Sequence, residues 1–220
     1  MDSENSVFDR VTTDGTLVGA GIYNLVIGLT LIWGFAVNYW MVTNIDPEAI
    51  ASVNSWVFFI GYFACCFLGI YLFQKSSNPL ISFIGYNFVV VPFGLIINMV
   101  VSQYDPELVT EAIRITGLVT IAMMCLGTLF PAFFQKIVGA LTIALLLVIV
   151  VELIEVFVFN THHGILDWIV VLIFCGYIGY DWGRANQIPK TIDNAIDSAA
   201  ALYMDIINLF LRILRILGRK

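Results

Sequence analysis

Seven runs of apolar residues, each roughly 17–27 long, follow one another along this chain with short polar connections between them. A run of about 20 apolar residues crosses the hydrocarbon of a bilayer as a helix, because a helix satisfies its own backbone hydrogen bonds there. The runs cover Thr16 to Val42, Ser52 to Phe73, Leu80 to Val101 (with Pro92 inside it as a kink site), about Ala112 to Phe130, Ile137 to Phe159, Gly164 to about Tyr180, and the region from near Ile196 to Leu217. Composition agrees. The chain is 60% hydrophobic and 12% charged, with a mean hydropathy of +0.93, against about 45–50% and about 25% for a soluble domain. The expectation is an all-α integral membrane protein, a seven-helix bundle built from residues 16–218 as one transmembrane domain. Residues 1–15 form a polar N-terminal tail without the layout of a cleaved signal peptide, and 219–220 a basic C-terminus.

Connection charges set an orientation. Asp46 and Glu48 follow the first run, and Asp105, Glu107 and Glu111 follow the third, with Arg114 just beyond. His162 and His163 follow the fifth. Lys75, Lys136, and the pair Arg184 and Lys190 follow the second, fourth and sixth. The alternation places the N-terminus in the cytoplasm. A seventh full crossing puts Arg219 and Lys220 outside, against the rule, so the last run either crosses despite its charge or re-enters. The connections are too short for an extramembrane catalytic domain, and no internal repeat suggests an inverted-repeat transporter. The net charge of -6 comes from scattered acids, and no basic run indicates nucleic acid. Cys65, Cys66, Cys125 and Cys175 lie in apolar runs without metal-site spacing and read as small core residues. No metal site and no cofactor is expected.

Within the last run, Asp205 stands out. A carboxylate near the bilayer centre costs about 2.5 kcal/mol or more unless a partner or water reaches it. On a helix, Asp197, Ala201, Asp205, Asn208, Arg212 and Arg215 fall in one stripe. An amphipathic helix lying on the membrane surface would account for such a stripe. The wide apolar sector around it favours a helix inside the bundle, with Asn208 and Arg212 lining an interior polar path and the terminal arginines paired or snorkelling.

Gly176-Tyr-Ile-Gly-Tyr-Asp181, a short polar link, and Ala200-Ala-Leu-Tyr-Met-Asp-Ile-Ile-Asn-Leu-Phe-Leu-Arg-Ile-Leu-Arg-Ile-Leu-Gly218 together resemble the C-terminal signature of the Bax inhibitor-1 (transmembrane Bax inhibitor motif) family. The resemblance covers roughly the last 45 residues. It implies six helices wrapped round a central seventh, the C-terminal one, and a pH-dependent calcium leak. On the matched motif, Asp181 and Asp205 take the places of the family's paired aspartates, its pH sensor and gate, and Arg215 a basic position near the end of the last helix. Where the family carries an arginine at the cytoplasmic end of the second helix, able to latch the sixth-helix aspartate, this chain has Lys75, a point charge without the bidentate fork. Its second helix also lacks the acid that pairs with the terminal-helix arginine in some members.

Two buried carboxylates about 4–6 Å apart do not both ionise cheaply. They share a proton and titrate in coupled steps that belong to neither alone. Gly179 and Gly183, either side of Asp181, permit close helix approach and would bring Asp181 against the last helix. Calcium takes several oxygen ligands. Glu152 and Glu155, one turn apart, with Asp167 across a short connection, are candidates for an acidic cation mouth, or else a solvated acidic rim. His162 and His163 titrate near neutrality but read as ordinary exposed loop residues. Asn24, Asn38, Asn87 and Asn98 are expected to face the interior as interhelical hydrogen-bond partners. The function expected is a pH-sensitive calcium leak, with the bilayer and the transported calcium as partners. The site is a prokaryotic inner membrane, or alternatively the endoplasmic reticulum. One rival is a non-conducting regulator that binds other membrane proteins. The other is an intramembrane aspartyl protease, for which Tyr180-Asp181 suits half of the presenilin-type motif. The Gly-x-Gly-Asp half is missing, since Leu202-Tyr-Met204 precedes Asp205. The chain is therefore not expected to be an enzyme.

Overall fold

A computed structural model describes residues 15–159 and 164–219, so the tail before Gly15, His162, His163 and Lys220 lie outside the described residues. Among the described residues the chain is all helix. The order is α1 (Ala20–Asn44), a short α2 (Pro47–Ala51), α3 (Ser55–Lys75), α4 (Pro79–Val101), α5 (Pro106–Leu129), α6 (Pro131–Ile154) ending in a π-helical turn (Glu155–Phe159), α7 (Gly164–Gln187) and α8 (Ile192–Leu217).

Helix starts follow simple chemistry. Pro47, Pro79, Pro106 and Pro131 each stand in a first turn, where the missing N–H leaves no gap in the hydrogen-bond ladder. The Asp46, Asn54 and Asn78 side chains accept the free N–H groups of Glu48, Trp56 and Leu80 at 2.9, 3.0 and 2.9 Å. With Pro106 in its first turn and no side-chain cap, α5 starts at Pro106 rather than at Ala112, so Glu107 and Glu111 belong to its first turns and not to a loop. In the same way α6 begins six residues before Ile137, α7 continues past Tyr180 to Gln187, and α8 starts ahead of Ile196.

Six helices (α1, α3, α4, α5, α6 with its π turn, and α7) are long and apolar enough to cross a bilayer. The seventh expected run does form a helix of 26 residues, about 39 Å long. It is not among those six, because Asp193, Asp197, Asp205, Arg212 and Arg215 all lie on it. Large apolar side chains stand exposed along the six, Trp56, Leu118, Leu146 and Leu172 among them. Such a surface is stable facing lipid. The protein is a multi-pass helical membrane protein. Every residue of α8, in contrast, is buried or half-buried. A helix resting on a membrane surface would keep an exposed polar face, and α8 has none.

The chain divides into two compact units, residues 1–103 with Ile188–Ala201, and Tyr104–Gln187 with Leu202–Lys220. In the first, α1 and α3 pack on α4. Gly69 and Gly85 let α3 and α4 touch backbone to backbone, for a Cβ on Gly85 would stand 2.7 Å from the Gly69 carbonyl oxygen. Asn38 donates to the Val90 carbonyl at 3.1 Å, Asn98 to those of Met41 and Ile45, and Trp33 Nε1 donates to Asn87 at 3.0 Å. Asn24 does not join them, since it is exposed on α1. In the second unit, α5 and α6 pack on α7. Gly127 of α5 abuts Gly179 and Gly183 of α7, and Trp182 Nε1 donates to Thr128 Oγ1 at 2.8 Å. The glycine pair beside Asp181 therefore serves the α5–α7 contact, with Phe134 of α6 against Gly179. It is not the device that brings Asp181 to α8.

Candidate functional site

Asp181 lies near the C-terminal end of α7 and Asp205 near the middle of α8. Both belong to the second unit. Asp205 is 7% exposed, and its carboxyl stands in hydrogen-bonding and Coulombic contact with that of Asp181. Its Oδ2 makes no hydrogen bond. One turn before Asp181, the Tyr177 ring lies within electrostatic reach of both acids, and its hydroxyl donates to Thr142 Oγ1 of α6 at 3.0 Å. A hydrogen bond between two carboxyl groups needs a proton on one of them, because an ionised carboxylate only accepts. The contact brings α7 against α8.

Further along α8, Asn208 spends one N–H on the Met204 carbonyl of its own helix at 2.7 Å. One turn beyond, Arg212 grips Glu152 of α6 with Nη1 and Nη2, Nη2 donating to Oε2 at 2.8 Å, and Nη1 also donates to Asp167 Oδ1 of α7 at 2.9 Å. Arg215 Nη1 stands 3.4 Å from the same Asp167 oxygen. Arg219 Nη2 stands 2.8 Å from Asp167 Oδ2, an ion pair without hydrogen-bond alignment. Asp167 is fully buried and in the first turn of α7, where a negative charge also suits the helix dipole. Fourteen residues separate it from Asp181, about 21 Å of helix. The carboxyl pair and this arginine clamp thus join α7 to α8 at two well-separated levels.

The residues of the expected cation mouth take part in this clamp. Glu152 and Asp167 hold Arg212, Arg215 and Arg219, and Glu155 is buried on the π turn. Glu152 and Asp167 are thereby paired with arginines. Arg215, a candidate latch residue with Lys75, stands against Asp167 here. Lys75 is the last residue of α3, exposed, where a cation suits the C-terminal dipole. Along the α8 stripe Asp197, Ala201, Asn208, Arg212 and Arg215 are half-buried and Asp205 buried. No cluster of three or more metal-ligating acids, histidines or cysteines occurs among the described residues.

Sequence reasoning missed a second buried polar group, in the first unit. Ser82 Oγ donates to Asp193 Oδ1 at 2.7 Å. Tyr23 OH and Ser198 Oγ are 3.1 Å apart, and Ser198 donates to the Asn194 carbonyl at 2.7 Å. Lys190 Nζ sits 5.7 Å above the Tyr23 ring. Carrying the α8 stripe back one turn from Asp197 would have reached Asp193. Its partners in α1 and α4 leave no sequence signal.

A family model described as Inhibitor of apoptosis-promoting Bax1 matches residues 18–220. An uncharacterized protein of Helicobacter pylori is 29% identical over 167 residues, 74% of this chain and 71% of that protein. The Golgi anti-apoptotic protein of vaccinia virus is 33% identical over 126 residues, 56% of this chain and 52% of its own. Bax inhibitor 1 of Schizosaccharomyces pombe is 32% identical over 128 residues, 57% of this chain and 47% of its own.

Proposed function

The chain belongs to the Bax inhibitor-1 family, and from that premise we propose that it is a pH-sensitive cation leak, with calcium as the transported ion and the Asp181–Asp205 pair as its gate. The observation that carries the reading is the hydrogen-bonding contact between the two carboxyls at a buried position. With the proton present, the pair is an attractive link between α7 and α8. Without it, two negative charges face each other in a poorly hydrated site, which favours separation or capture of a cation. Either outcome biases the packing of α7 against α8, and so the population of closed and open states. Tyr177 is a further titratable neighbour of both acids, and its hydroxyl is tied to Thr142.

In this reading α8 is the seventh crossing and the central one, its half-buried polar stripe lining the way from the carboxyl pair to the arginine clamp. The N-terminus is cytoplasmic, by the alternation of connection charges. The membrane is a prokaryotic inner membrane, or alternatively the endoplasmic reticulum. No chemical step is proposed, since the aspartates lack the sequence setting of an intramembrane protease. A second reading draws on the names of the viral and yeast relatives, which describe opposition to cell death and inhibition of Bax. It is a non-conducting regulator that binds other membrane proteins. Purified protein in liposomes separates the two. A leak passes calcium at a pH-dependent rate with no other protein present, whereas a regulator passes none.

A further inference from the structure

Threonines in a helix normally turn their hydroxyl back onto the carbonyl four residues earlier. On α5, Thr110, Thr116 and Thr128 do so, donating to Pro106, Ala112 and Met124 at 2.8, 2.7 and 3.0 Å. Thr120 does not. It is 8% exposed, and its Oγ1 has no hydrogen-bond partner. Buried side-chain hydroxyls have a hydrogen-bond partner in the large majority of cases, and ordered water serves those that protein groups do not reach. The other carboxyl or hydroxyl oxygen of this unit that is both buried and outside any hydrogen bond or ion pair, among the described residues, is Asp205 Oδ2.

The packing gives Thr120 a level. Gly127 and Thr128 of α5 lie beside Gly179, Trp182 and Gly183 of α7, at the carboxyl pair. At the other end, Tyr104, just ahead of α5, meets Gly218, and Gly164, at the start of α7, meets Arg219. The two helices therefore run in the same direction. Thr120, seven residues ahead of Gly127, lies about 11 Å from the carboxyl level towards the clamp. That is midway between the two links that join α7 to α8.

We propose that Thr120 Oγ1 lines a water-filled segment between the Asp181–Asp205 pair and the arginine clamp, and that its oxygen hydrogen-bonds the water carried with a passing hard cation. The segment deepens the leak reading and rests on it for the cation. The water is tested separately. In protein whose Cys65, Cys66, Cys125 and Cys175 are replaced by alanine, Thr120→Cys in liposomes should react with a small quaternary-ammonium methanethiosulfonate. Leu118→Cys, on the lipid-facing side at 70% exposure, should not react. Thr120→Val, which keeps the shape and removes the hydroxyl, should lower calcium flux roughly fivefold, the loss of about one hydrogen bond. Thr120→Ser should restore it, and the form of the pH profile should not change. A Thr120→Cys thiol unreactive at every pH, or wild-type flux in Thr120→Val, overturns the proposal. Labelling of Thr120→Cys, together with a wild-type protein that passes no cation, would uphold the water and remove the leak reading instead.

Discussion

Asp205 is conspicuous because a single carboxylate in an apolar run is expensive, and the expense is visible without any structure. Its partner Asp181 is visible as an acid near the end of the preceding apolar run, and the resemblance over the last two helices joins them. Residues whose meaning depends on distant partners were not legible in this way. Asp167 reads as one of three acids of a cation mouth or a solvated rim, yet it is fully buried and holds arginines 45 to 52 positions away. Thr120 carries no signal at all, because its distinction is an unspent hydroxyl. At this scale, Asp181→Asn in reconstituted protein should remove most of the pH response of calcium flux, since an amide at 181 offers Asp205 a fixed hydrogen-bond donor that no pH change removes. A response of wild-type size would count against proton sharing. Arg212→Lys should weaken the clamp, because a lysine cannot grip Glu152 with two nitrogens while also reaching Asp167. A double-mutant cycle with Glu152→Gln measures the coupling, and a value indistinguishable from zero would contradict the geometry.

Helices were legible in number and in rough extent because bilayer thickness fixes their length. Their ends were not, because the first-turn prolines Pro106 and Pro131 start α5 and α6 within segments whose charge suggests loop. The glycine pair of α7 shows a further limit. Small residues four apart announce a close contact without naming the partner, which is Gly127 of α5. Gly179→Leu should therefore break α5–α7 packing, with a loss of more than about 3 kcal/mol from overpacking against backbone and Phe134. Thermal unfolding in detergent reads it, and an unchanged midpoint would refute the close approach. The clamp is also an element-scale device, fixing the last turns of α8 to α6 and α7. Asp167→Asn strands the arginines and should cost about 3 kcal/mol or more. Amide exchange across Arg212–Arg219 should rise while that of α1 and α4 does not.

For the whole molecule, the membrane is written in the composition and in the exposed apolar faces of six helices. The seventh helix is the difficult one, because the charges that give it a role remove it from any count by hydropathy. If α8 crosses, reporters attached ahead of Met1 and after Lys220 lie on opposite sides of the membrane, and reporters on the same side would make α8 re-entrant. The central claim is that a proton shared by Asp181 and Asp205 sets a calcium leak. The most direct measurement is calcium entry into liposomes holding the purified protein, followed from acid to alkaline pH for wild type and for Asp205→Asn. The account predicts a rate that changes with pH in the wild type and a nearly flat one in the variant. A pH profile that survives the substitution unchanged would contradict it.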